Sequence, residues 1–230
     1  DQKYLDLAYA FTQKQVLGPL ENGKDILNGM HANTQIPKVI GFETIAALDQ
    51  NKDYHNAATY FWENVVNNRT VSIGGNSVRE HFHPADDFSS MVSSVQGPET
   101  CNTYNMLKLS EKLFLADAEE KYMDFYEQGL YNHILSSQHP EGGFVYFTPM
   151  RPSHYRVYSQ PETSMWCCVG SGLENHGKYN EMIYAHSEDE LYVNLFIASE
   201  VNWSAKNFKL IQETDFPNSE ETSFKIETRK

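Results

Sequence analysis

Basic residues are scarce. The 230 residues hold 18 Lys and Arg against 31 Asp and Glu, a net charge of −13. A general nucleic-acid binder, or a protein docking on an anionic membrane surface, carries the opposite sign, so neither partner is expected. Long apolar runs are missing too, since none approaches the ~20 residues that cross a bilayer. Cysteine is limited to Cys101, Cys167 and Cys168. An odd count with two neighbours makes a poor disulfide framework, because adjacent cysteines bridge only under strain. The chain has no Walker A loop, dinucleotide glycine fingerprint, Gly-x-Ser-x-Gly elbow or His-Glu-x-x-His helix. Gly170-x-Gly172 is too short to count as a dinucleotide signature. Neither Met nor a signal-peptide pattern opens the chain at Asp1, so a processed product or a piece of a longer protein is expected.

What is present reads as a globular chain. Hydrophobic residues make up 40% and charged ones 21%, far from a disordered composition. Aromatics reach 13%; such rings stack on sugar faces in binding clefts, and they also fill cores. Apolar residues at helical spacing predict helices over Lys3–Val16, Ile36–Leu48, Asp53–Val66, Glu99–Leu115 and Ala118–Leu135. Pro37 would fall in the first turn of its helix, and Asp117 would cap the last of the five. Between them, Thr70 to Val95 reads as a long loop, and loops of that length are usually functional or disordered. A short strand is expected at Phe144–Phe147, and the stretch from Cys167 to Tyr184 reads as helical in its later part, after Gly172. From about Glu188 the period shifts to that of strands, at Leu191–Ile197, Phe208–Ile211 and Ser223–Ile226. The expected class is therefore mainly α, built of successive helical hairpins that form a toroid or solenoid. A β-region would follow, with the division at 1–187 and 188–230. No strand alternates with the helices, which argues against a doubly wound sheet.

Two constellations carry chemistry. Gly97-Pro98-Glu99-Thr100-Cys101 and Trp166-Cys167-Cys168 offer one carboxylate and three thiols, the donor types of a tetrahedral zinc site. Three unliganded core cysteines, or a purely structural zinc site, fit the same spacing. Iron(II) or another thiophilic ion would suit the same donors. Glu80, in Val78-Arg79-Glu80-His81-Phe82-His83-Pro84, is a candidate general acid/base, and a solvated loop charge is the plainer alternative. His81 and His83 could themselves bind a metal. His31 stands beside a helix start, where it could face a ligand, cap or simply pack. Spacing alone gives Glu127 and Tyr146 no role.

The stretches HANTQIPKVIG, SIGGNSVREHFHP, GPETCNTYNMLKLSEKLF and MWCCVGSGLENHGKYNEMIY, in that order, resemble bacterial zinc-thiolate β-L-arabinofuranosidases. The nearest branch is that of plant-glycan-degrading gut bacteria. The resemblance covers about Gly29 to Tyr184, and its most specific part is Glu-Thr-Cys followed much later by Cys-Cys. It implies part of an (α/α)6 barrel followed by the start of a β-sandwich domain. It also implies a retaining exo-glycosidase that releases L-arabinofuranose from β-linked arabinosides, in a periplasmic or secreted setting. Carried over by motif, Cys167 would be the nucleophile and Glu80 the acid/base. Glu99, Cys101, Cys167 and Cys168 would hold zinc, and His31, Glu127 and Tyr146 would contact the sugar. A complete barrel has twelve helices and about half of them are read here, so the chain is expected to expose an apolar face and to self-associate. The alternatives are a non-catalytic, zinc-stabilised helical fragment and a metal-independent α/α-toroid glycosidase or lyase.

Overall fold

The computed structural model describes residues 1–228, which divide into two compact units, one ending at Gly177 and the other beginning at Lys178. The first unit is helical: α1 (Gln2–Phe11), α2 (Lys14–Glu21), α3 (Ala32–Asp49), α4 (Lys52–Arg69), a short α5 (Ser89–Ser93), α6 (Thr100–Asp117), α7 (Glu120–Gly129) and α8 (Cys167–Asn175). Helix α6 lies at its centre and packs on α3, α4, α7 and α8. It is buried on several sides, down to polar Asn102, Thr103 and Ser110. Around it the core is aromatic. The Trp62 ring meets Tyr122 and Phe125 edge-on at 4.8 and 5.8 Å, and its indole N–H donates to Ser110 Oγ at 2.8 Å. A buried tryptophan therefore keeps its polar atom satisfied.

Several boundaries differ from the sequence expectation, each for a local reason. The first predicted helix is broken at Thr12 and Gln13, which lie in extended conformation and start α2 afresh. Helix α3 starts at Ala32 rather than Ile36, because a tertiary contact receives an otherwise unpaired donor: Ala32 N donates to Glu80 O at 2.8 Å. Pro37 consequently sits inside the helix and not in its first turn. Asp117 does not cap α7. It ends α6, Ala118 closes that helix in the left-handed conformation, and Glu119 precedes α7. Past Gly129 the helix widens into a π-turn (Leu130–Ile134) and then a 3-10 turn (Leu135–Ser137). Phe144 to Phe147 makes isolated bridges to Gln138, Tyr158 and Glu99 in place of a strand. In the Cys167 stretch, the helix occupies the first nine residues, including Gly170 and Gly172, not the later part.

The long loop is not slack. Arg69 is fully buried at its start and donates to Asp25 at 2.8 Å, to His83 O at 2.9 Å and to Asn64. A Cβ on Gly74, whose φ is +84°, would stand 2.6 Å from Gly129 Cα, so the loop backbone rests directly on the end of α7.

The second unit pairs β1 (Tyr184–His186) with β2 (Leu191–Val193), and arranges β3 (Ser199–Trp203), β4 (Phe208–Thr214) and β5 (Thr222–Thr228) as an antiparallel sheet in that order. Leu210 stands opposite Val201 and Ile226. Gln212, buried in the middle strand, donates to Leu195 O and Ile197 O at 3.0 and 2.6 Å. No helix among the described residues is long and apolar enough to cross a membrane.

Candidate active site

Two helix starts converge on the cysteines. Glu99 occupies the N-cap position of α6 yet makes no capping bond to its own helix, which leaves its carboxylate for other partners. Cys101 lies in the first turn of α6, and Cys167 and Cys168 open α8. Both N-terminal ends favour negative charge, so each helps to hold a thiolate.

The four side chains form one group whose ligand atoms all lie within 4.8 Å of one another. Cys168 Sγ is 3.0 Å from Cys101 Sγ, 3.9 Å from Cys167 Sγ and 3.6 Å from Glu99 Oε1. Cys167 Sγ is 3.8 Å from Glu99 Oε1. Four donors around one ion at about 2.0–2.3 Å stand roughly 3.3–3.8 Å apart, so the set fits a tetrahedral metal ion. The other Glu99 oxygen is buried without a hydrogen-bond partner, a condition a cation relieves. Glu99, Cys101 and Cys168 are buried while Cys167 is exposed, so one sulfur of the group faces solvent. Ser171, one helical turn after Cys168, places its Oγ 3.1 Å from Cys101 Sγ. The i, i+3 spacing from Cys168 is the sequence signal by which Ser171 could have been noticed.

Glu80 reaches the same place from the loop. Val78 and His81 exchange both backbone hydrogen bonds, at 2.9 and 3.0 Å, around the two-residue turn Arg79-Glu80. Both turn residues have positive φ, +50° and +68°. That is the geometry of a tight hairpin normally filled by Asn and Gly, and holding two long side chains in it costs energy the surrounding structure must offset. A short ladder continues from it. Phe82 N bonds Met30 O, Gly29 N bonds Phe82 O, and His31 bridges His81. His31 Nε2 is thereby set 3.9 Å from Glu80 Oε2. From the other side, the Tyr146 hydroxyl donates to Glu80 Oε1 and lies 3.3 Å from Cys167 Sγ. Glu80, Tyr146 and Cys167 thus form one continuous chain of contacts, with the Trp166 ring 6.1 Å from that of Tyr146.

Other sequence candidates fall elsewhere. His83 is buried and bonded to the Pro84 and Arg69 carbonyls, and His81 Nδ1 to the Arg79 carbonyl. Neither belongs to the metal-competent group found among the described residues. Glu127 lies half-buried on α7, its carboxyl pushed up by burial and then by Asp124, and no hydrogen bond among the described residues ties it to the cysteines.

With no ion bound, the cluster holds more acid than it can ionise. Burial first, then Cys101, push the Glu99 carboxyl up to about 8. Donation from Cys168 holds the Cys101 thiol down to about 6, and the same bond, with burial, holds Cys168 far above its ordinary value. Burial also raises Cys167, against the opposing hydrogen bond to Tyr146. Between about pH 4.5 and about 6, folded metal-free protein keeps a proton on Glu99 that the unfolded chain has lost. Its stability therefore falls as pH rises through that window. In chelator, the Tm of Glu99→Gln should gain on the wild type from pH 4.5 to 6, and a constant difference would contradict this account.

Comparison with solved structures extends the architecture. A GH127 β-L-arabinofuranosidase from Geobacillus stearothermophilus aligns over 91% of this chain at 21% identity, with a TM-score of 0.71. A second glycoside hydrolase aligns over 89% at 18% identity, TM-score 0.76, and another GH127 β-arabinofuranosidase over 98% at 25%, TM-score 0.77. The chain spans little more than a third of these structures, 35%, 38% and 37% of their lengths. Its helical unit is part of an (α/α)6 barrel, and its strands begin a sandwich domain; the class so defined is that of helical-barrel glycoside hydrolases. No curated protein matches in sequence. The model of the β-L-arabinofuranosidase GH127 catalytic domain matches residues 1–181, and that of the GH127 middle domain residues 190–230. The chain belongs to the GH127 β-L-arabinofuranosidase family.

Proposed function

We propose that this protein is a retaining exo-glycoside hydrolase that releases L-arabinofuranose from β-linked arabinosides of plant glycans. The observation that carries the reading is the contact chain from the exposed Cys167 sulfur through the Tyr146 hydroxyl to Glu80, beside three further metal-binding donors. Cys167 is the nucleophile and Glu80 the acid/base. Glu99, Cys101, Cys167 and Cys168 hold zinc, whose charge supports three neighbouring sulfurs as thiolates where an unliganded thiol stays largely protonated. His31 and Tyr146, both touching Glu80, contact the sugar; the place of Glu127 in that set rests on family resemblance.

The chemistry divides into two displacements at one carbon. In the first, Glu80 gives its proton to the departing oxygen as Cys167 sulfur attacks the anomeric carbon; the C–O bond breaks and a C–S bond forms. In the second, Glu80, now a carboxylate, takes a proton from water, whose oxygen attacks the same carbon and returns the sulfur as thiolate. Two inversions retain configuration. The sulfur occupies the place of the second carboxylate of most retaining glycosidases. Tyr146, bonded to both groups, keeps them in register. The exposed Tyr4, Leu7 and Phe11 of α1 and Leu48 of α3 support self-association through that face.

The test is zinc per chain, measured together with turnover of a chromogenic β-L-arabinofuranoside before and after chelation. About one zinc and release that stops on chelation are expected. Zinc without release would favour a non-catalytic zinc-stabilised module. Release that survives chelation would favour a metal-independent toroid glycosidase or lyase and overturn the thiolate mechanism.

A further inference from the structure

Tyr146 is bonded to both Glu80 and Cys167, so whatever fixes Tyr146 sets the geometry of both. We infer that His133 is a positioning residue for that pair, a buried imidazole that ties the Tyr146 segment to the helix bearing Glu99 and Cys101 and underlies the loop leading to Glu80. The inference rests on the nucleophile and acid/base reading just given.

His133 is fully buried. Its Nδ1 lies 2.7 Å from Thr103 Oγ1 and its Nε2 3.1 Å from Thr148 Oγ1. Thr103 follows Cys101 by two residues on α6, and Thr148 follows Tyr146 by two on the segment crossing it. One ring therefore clamps the two backbones that carry the metal donors and the tyrosine. Main-chain bonds hold the same crossing, Thr100 N to Tyr146 O at 3.0 Å and Thr148 N to Pro98 O at 2.9 Å. The third segment rests on the ring. A Cβ on Gly75 would come within 3.0 Å of His133 Nδ1 and 2.5 Å of Pro98 Cβ, so only a glycine lets the loop lie this close. Thr103 Oγ1 also reaches Gly74 O, at 3.5 Å.

Burial, with a smaller contribution from Arg156, lowers the imidazole to about 3, so the ring is neutral. A neutral imidazole has one donor and one acceptor, and each hydroxyl must take the complementary role. Van der Waals packing would not give that directional hold. The ring sits in the π-turn of residues 130–134, a helix irregularity frequent near functional sites. A fold needing only filled volume here would be served by leucine in an unbroken helix.

Thr148→Val removes one of the two hydroxyls at constant shape, and His133→Gln keeps one polar contact at most. Both are compared with wild type for zinc per chain, Tm, and kcat and KM on arabinosides with a poor and an activated leaving group. Alkylation of resting Cys167 by iodoacetamide is followed in parallel. Expected are unchanged zinc, a rise in KM of no more than a fewfold as Tyr146 loosens against the sugar, kcat on the poor leaving group lower by roughly tenfold, and a smaller loss on the activated one, as for outer-shell supports that orient reacting groups. Cys167 alkylation should rise severalfold as Tyr146 loosens. A lowered Tm with unchanged leaving-group dependence and unchanged alkylation would reduce His133 to a packing residue and overturn the inference. If wild type hydrolyses neither arabinoside, the arabinofuranosidase reading falls, and the alkylation rates alone decide for or against His133.

Discussion

Cys167→Ser should lose turnover by about 10⁴-fold or more, the scale seen when a covalent nucleophile is removed. Serine keeps the size of the side chain but replaces a sulfur that ionises readily with a hydroxyl that does not. Among the described residues the polar partners of Cys167 are Glu99, Tyr146, Cys168 and Cys101, and none is an imidazole that could act as its base. Because Cys167 is exposed while Cys101, Cys168 and Glu99 are buried, the variant should fold, and its remaining three donors should retain metal with reduced affinity. The measurement is kcat on a chromogenic arabinoside with zinc per chain determined on the same sample. A Ser variant within tenfold of wild type, with its metal in place, would remove Cys167 as the nucleophile.

The second large effect is expected at Glu80. Glu80→Gln preserves the shape of the side chain and its capacity to accept from Tyr146, yet it has no proton to give to the leaving oxygen. The loss should be about 10²- to 10⁴-fold, the range for a general acid/base, for an alkoxide-like leaving group. In kcat/KM, which reports the first displacement, it should be far smaller for a nitrophenolate, which departs without assistance. With the activated substrate the second displacement becomes limiting, because the carboxylate that takes the proton from water is also gone. A plot of kcat/KM against leaving-group pKa should steepen in the variant, while kcat levels off for the activated substrates. An unchanged slope would place the acid elsewhere, and His31, 3.9 Å from Glu80, would be the next residue to test.

The two halves of the proposed pair were legible to different degrees. Glu99, Cys101, Cys167 and Cys168 could be singled out as metal donors because thiols and carboxylates are few in kind and strong in chemistry. The structure brings all four together from two helix starts. Glu80 could be singled out as a candidate acid/base among histidines, with a solvated loop charge fitting as well. Its setting, a tight turn with two positive φ angles, has none of the Asn or Gly that normally announce such a turn, so the local sequence carries no trace of it. Ladder bonds from residues 29–32 hold that turn, and those contacts are distant in sequence.

Helices were read correctly where apolar spacing is strong, as in α4 and α6, and misplaced where a tertiary contact or a break settles the boundary. Ala32 starts α3 because Glu80 O receives its N–H, and Asp117 ends a helix because Ala118 turns left-handed. The strands Tyr184–His186 and Ser199–Trp203 were missed. One is too short to show a period, and the other alternates exposed with half-buried positions, so it has no strong apolar stripe.

By itself, then, the sequence determined the helical class, the change to strands in the last quarter, the donor chemistry of the three cysteines and Glu99, and the family. The first three follow from residue type and short-range periodicity, which a chain carries without being folded, and the family from the resemblance of four motifs in order. Only the tertiary structure decided that Cys167 is the sulfur facing solvent, that Tyr146 stands between it and Glu80, and that His133 joins Thr103 to Thr148 beneath the loop at Gly75. Those relations join residues 66, 21 and 30 positions apart, and packing rather than local preference selects which of the many possible distant pairs come into contact.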